Sequence, residues 1–229
     1  MARAYQKEES KEVKKERKRQ NFDRYLKSLK FGFFCMTHPI DGFWRLTHEK
    51  KGTIAGATTI LIATILIRIL KLRYTSFLFL TVYWEDINVF LYIASILFPL
   101  ALWVVGNWAL TTLFDGKGRL GDVYMGTCYG MLPYPVIQFP LMIVSNFVTI
   151  EEGQFYEVLS VISLILCAVL IVNGLAQIHA YSPGKNLLFT VASLFAMLVM
   201  IFILMIFFSM ISQGVAYFIS IGREMMFRM

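Results

Sequence analysis

Three histidines, three cysteines and one glycine-rich turn are the residues in this chain whose types could do chemistry. His38 and His48 stand ten residues apart, His179 is remote, and no cysteine or carboxylate cluster completes a ligand set, so no metal site is expected. Cys35, Cys128 and Cys167 lack close spacing and are odd in number, which fits small buried hydrophobes better than a disulfide framework. The stretch FDGKGRLGD (114–122) could pass for a phosphate loop. A phosphate loop, however, needs Ser or Thr after its Gly-Lys, and Gly116-Lys117-Gly118-Arg119 has none. It reads as a turn in which Gly116 and Gly118 permit left-handed backbone while Lys117 and Arg119 sit at headgroups. No Ser-His-Asp order, HExxH or pair of carboxylates inside an apolar run occurs, so neither an enzyme nor a cofactor is expected.

The remaining unusual feature is YGMLPYPVIQFP (129–140), which places Pro133, Pro135 and Pro140 inside an apolar run. Each proline removes a helical hydrogen bond and presses on the carbonyl four residues earlier, here at Tyr129, Met131 and Val136. Bare carbonyls cannot face lipid, so this segment must be central to its bundle. Gly126 and Gly130, four apart, offer a groove for close helix contact, as do Gly52 and Gly56, and the two pairs are expected to face each other. The alternative is a broken helix at a permeation or substrate site. Against it, the apolar runs offer only Asn107, Gln138, Asn146, Asn173 and Gln177, mostly near their ends.

The elements that position these residues follow from hydropathy. Five apolar runs (52–70, 88–110, 123–150, 156–178 and 187–213) are long enough to cross a hydrocarbon core of roughly 30 Å. The expected class is all-α: a polytopic membrane protein with five spans. Of the 22 Lys and Arg, 14 precede residue 52, and an N-terminus inside puts 17 basic residues inside against 5 outside, so the C-terminus falls outside. Arg68, Lys71 and Arg73 then lie on the outer side. Either they snorkel to headgroups or the following stretch, 76–84, dips back into the interface.

Residues 1–36 form a basic head. Its first 20 residues lack apolar periodicity and are expected to be solvated, partly helical or disordered. Phe22, Tyr25, Leu26, Leu29 and Phe33 recur at helical spacing beside Arg24, Lys27 and Lys30, so about 21–34 should form an amphipathic helix on an anionic inner leaflet, a face that could equally dock on a partner protein. In the next segment Pro39 opens a short helix, and Phe43, Trp44 and Leu46 make an apolar ridge: an interfacial elbow leading into a five-span domain over 37–213. The tail, 214–229, keeps aromatic and Met residues with two arginines, which suits either the outer surface or a frayed helix end.

His38, Pro39, Phe43 and Leu46 in an HPxxxFxxL elbow, the GKG turn of Gly116, Lys117 and Gly118, and YGMLP at Tyr129, Gly130 and Pro133 together resemble the Yip domain family. That family is named for its interaction with Ypt/Rab GTPases and has many prokaryotic members. The short DLxGP segment of eukaryotic members is absent, which points to the prokaryotic branch. The resemblance implies a five-helix, N-inside domain without known catalysis, in a bacterial cytoplasmic membrane. The function expected is that of an accessory subunit or scaffold of a membrane complex; the alternative is a small transporter or channel using the proline-broken third span. Expected partners are anionic lipids and other membrane proteins such as ABC-transporter components, and nucleic acid is not among them.

Overall fold

The computed structural model describes residues 2–79, 88–114, 116–149 and 151–228, and among them every regular element is helical. The order is α1 (Ala2–Thr37), α2 (Pro39–His48), α3 (Ile54–Tyr74), a 3₁₀ turn (Phe77–Phe79), α4 (Val89–Leu113), α5 (Leu120–Gly130), α6 (Pro133–Val144), α7 (Gly153–His179) and α8 (Pro183–Arg228). Local chemistry sets several of these starts. Pro39 opens α2 where no donor is needed. Thr53 accepts the Gly56 amide at the head of α3, and Asn88 accepts the Phe90 and Leu91 amides at the head of α4. Among the described residues five stretches are long and apolar enough to cross a membrane: α3, α4, α5 with α6, α7, and α8 through Ile221.

The α5–α6 pair is the hub. In its most apolar window 56% of the residues are buried, against 28% or less for every other span, and it packs on both α3 and α7. The hydrophobic core gathers near α2, where Cys35, Phe43, Ala57, Ile60, Tyr129 and Leu170 bring α1, α2, α3, α5 and α7 together. The last helix, α8, joins the bundle mainly through α4, where Asn107 donates to Ser193 Oγ at 2.9 Å.

The helices give four expectations a more definite form. The head is one continuous helix from Ala2, so the stretch without apolar periodicity is helical as well. The Phe43–Trp44–Leu46 ridge is divided by helix geometry: Phe43 and Leu46 are fully buried, Phe43 against Gly174 of α7, whereas Trp44 points outward and stacks on His48 with ring centroids 4.9 Å apart. The helix that holds the fifth apolar run does not stop at 213; α8 continues to Arg228, with its apolar stretch reaching Ile221. Of the 76–84 stretch, Phe79 folds back to stack on Tyr156 at 4.9 Å, while residues 80–84 lie outside those described.

Candidate functional site

Tyr129 is the largest fully buried side chain, and its position explains how the head is held. Its hydroxyl bonds Ser28 Oγ of α1, which also accepts from Thr53 Oγ1 at 2.9 Å. Thr53 in turn caps α3 through Gly56. A Cβ on Gly56 would lie 2.5 Å from the Tyr129 hydroxyl and 2.8 Å from Ser28 Oγ, so only glycine leaves room for this three-helix polar knot. On α1 the inward strip is therefore Ser28, Gly32 and Cys35, while Phe22, Leu26 and Phe33 stay exposed, free to meet lipid. Burial of Cys35, against which Gly42 packs so closely that a Cβ there would come 2.7 Å from the Cys35 Cα, pushes its thiol up to about 12 and keeps it protonated.

Just beyond Tyr129 the third span breaks outright. The prolines do not strain a continuous helix: α5 stops at Gly130, Met131 and Leu132 form a turn, and Pro133 and Pro135 fall in the first turn of α6, where a missing N–H is harmless. Pro140 alone sits inside α6. The released carbonyls find partners, since Tyr129 accepts from the Leu132 amide at 3.2 Å and Met131 from the Tyr134 amide at 3.1 Å. Gly126 and Gly130 do not face Gly52 and Gly56. They lie against α7, where a Cβ on Gly130 would come 2.7 Å from Ile171 Cγ1 and 3.0 Å from its backbone nitrogen, while Gly126 meets the tip of Ile178. Gly52 packs instead on Leu46.

The Gly116-Lys117-Gly118 turn also depends on close approach. No described glycine has positive φ. A Cβ on Gly116 would meet Thr111 Cβ at 2.7 Å, and one on Gly118 would meet Ile178 at 2.5 Å and His179 Cε1 at 2.8 Å. The Gly118 amide donates to His179 Nδ1 at 3.4 Å, and His179 Nε2 pairs with Asn107 Oδ1 at 3.1 Å, a combination that fits the Nε2–H tautomer. The turn is thus tied through His179 and Asn107 to Ser193 of α8. His38, by contrast, stacks on Phe34, and His48 Nδ1 donates to the Trp44 carbonyl at 3.1 Å.

The sequence missed one polar centre. Lys71 does not snorkel to the surface; its Nζ turns into the bundle and donates to Gln138 Oε1 at 2.9 Å and Ser160 Oγ at 3.2 Å. Gln138 is fully buried and donates onward to Ser160 Oγ at 2.9 Å and Ser163 Oγ at 2.8 Å. Arg68, one turn earlier, donates to the Tyr92 hydroxyl at 3.1 Å. The available signal was the i, i+3 spacing of Arg68 and Lys71 within an apolar helix, which places both on one face. Which face turned inward depended on α6 and α7.

The Yip1 domain model matches residues 33–218, nearly the whole of the chain that follows the basic head. No curated protein matches the chain, and no solved structure does.

Proposed function

The chain belongs to the Yip1 domain family, and on that premise we propose that it is a non-enzymatic subunit or scaffold of a membrane complex, gripping its partner through the fifth span. The observation that carries this is the length and bareness of α8. Its apolar stretch runs 39 residues, about 58 Å at 1.5 Å per residue, nearly twice a hydrocarbon core of roughly 30 Å, and none of its most apolar window is buried in the chain. Tilt alone would have to reach about 60°, beyond the usual range of up to roughly 40°, so part of this apolar surface needs other cover. Phe207, Phe208, Tyr217 and Phe218 stand exposed on that second half. Aromatic residues of this kind anchor interfaces.

The positive-inside bias of the head supports an N-terminus on the cytoplasmic side, with α1 presenting Phe22, Leu26 and Phe33 beside Arg24, Lys27 and Lys30 to anionic lipid. The partner best suited is another polytopic protein, such as a component of an ABC transporter. A transport path through the third span has less support, because the break satisfies its own carbonyls and lies against the apolar side chains of Ile171 and Leu170. Purification from native membranes in mild detergent, read by mass spectrometry, should recover one stoichiometric membrane partner. A variant carrying Phe207→Ser and Phe218→Ser should lose it while keeping its thermal stability. Recovery of the chain alone, or a partner retained by that variant, would overturn the reading.

A further inference from the structure

At the end of the bundle opposite α2, a cavity of about 370 Å³ lies between α3, α4, α6 and α7. Arg68 and Lys71 share its wall with Tyr92, Tyr134, Tyr156 and Ser160. Among the described residues every partner these two cations have there is neutral. Lys71 uses Gln138 Oε1, Ser160 Oγ and the Tyr156 ring, whose centroid lies 5.3 Å away; Arg68 uses the hydroxyl and the ring of Tyr92, the latter at 5.2 Å. Among the described residues no carboxylate lines the cavity, and Glu157, next to Tyr156, is exposed.

Lys71 is drawn into the bundle beside Arg68, whose like charge repels it, so its partial burial is costly without a counter-charge. A second observation points the same way. The Tyr156 hydroxyl and Thr75 Oγ1 are buried on the cavity wall and lie near each other, yet make no hydrogen bond of good geometry. Buried hydroxyls left unpaired are rare and call for an explanation. Two cations beside a hydroxyl pair that can bond each other and still spare a donor suit a compact anion with several acceptor oxygens.

The geometry points to this cavity as a binding site for a phosphate group, held between Arg68 and Lys71 with Tyr156 and Thr75 donating to its oxygens. The space suits such a group, since at about 30 Å³ per water it holds a phosphate with a small substituent and several waters. So does the depth. Lys71 and Arg68 precede the last residue of α3 by three and six positions, about 5 and 9 Å along the helix, where phospholipid headgroups meet acyl chains. Leu72 and Leu164 add apolar wall beside the charges. The phosphate can therefore arrive on a phospholipid or as the free inorganic anion. This site is independent of the partner proposed for α8.

The test uses the full chain, delipidated in neutral detergent, with thermal unfolding followed against added phosphatidylglycerol, inorganic phosphate, diacylglycerol, or chloride at matched ionic strength. The midpoint should rise with a phosphate-bearing probe and not with diacylglycerol or chloride. A rise with phosphatidylglycerol alone identifies a lipid site, and a rise with inorganic phosphate as well identifies a site for the free anion. Arg68→Gln and Lys71→Gln should each weaken the apparent affinity about tenfold, the scale of one lost charged hydrogen bond, whereas Lys185→Gln should leave it unchanged. Arg68 is exposed and, among the described residues, its one side-chain hydrogen bond goes to Tyr92, so its variant keeps the test decisive even if Lys71→Gln fails to fold. An equal shift with diacylglycerol, parental affinity in Arg68→Gln, or an equal loss in Lys185→Gln would overturn the assignment.

Discussion

Replacing Gly130 and Gly126 one at a time by alanine should have unequal effects on stability, although both glycines sit on the same face of α5 and meet the same helix. At Gly130 the added methyl would come 2.7 Å from Ile171 Cγ1, and also 3.0 and 3.1 Å from the Ile171 nitrogen and Cα. An ordinary carbon contact is about 3.5–4.0 Å. The side-chain atom can rotate away, but the backbone cannot, so α5 and α7 must separate by roughly half an ångström or more along their contact. Overpacking of this kind costs about 1–3 kcal/mol, and alanine's better helix propensity returns up to about 1 kcal/mol. The net loss expected for Gly130→Ala is about 1–2 kcal/mol. In lipid little hydrophobic drive exists to restore the contact. At Gly126 the obstacle is only the end of the Ile178 side chain, whose rotation relieves it, so the variant should lie within about 0.5 kcal/mol of the parent. Reversible unfolding in mixed detergent micelles, compared across parent, Gly126→Ala and Gly130→Ala, measures both. Equal stability of the two variants, or a larger loss at Gly126, would refute the reasoning that backbone contact with α7 sets the hub of the fold.

The knot between α1, α3 and α5 gives an ordered pair: Tyr129→Phe should cost about 0.5–1.5 kcal/mol, because Ser28 keeps its bond from Thr53, while Ser28→Ala should cost about 1–3 kcal/mol, because it takes the acceptor from Thr53 Oγ1 and leaves the Tyr129 hydroxyl only the Ser28 carbonyl at 3.4 Å. Detergent unfolding checks it, together with protease access to the residue 30–36 stretch; equal costs would mean the head is held by packing alone. For topology, single cysteines at Gln154 and Arg119, in a background without the three native ones, should label oppositely with an impermeant thiol reagent, Gln154 from outside only. Labelling of both, or the reverse, would overturn the N-inside orientation.

The amino-acid order by itself determined the membrane class, the five spans and the basic head, because these rest on length, hydropathy and charge summed over many residues, and such sums survive local errors. It also pointed to Tyr129, Gly130 and Pro133 as a place where helix rules fail, since a proline's missing donor is a local fact that no fold can change. What it could not supply was direction. A glycine reads the same whether it bends a turn or admits a neighbour; only the tertiary structure shows Gly116 and Gly118 as points of contact with Thr111 and His179, and Gly126 and Gly130 against α7 rather than α3. Lys71 is the sharpest case. Near the end of an apolar helix a lysine normally reaches for water, and its inward turn is decided by Gln138 and Ser160, which are 67 and 89 residues away in sequence and offer the oxygens that make burial of the ammonium tolerable.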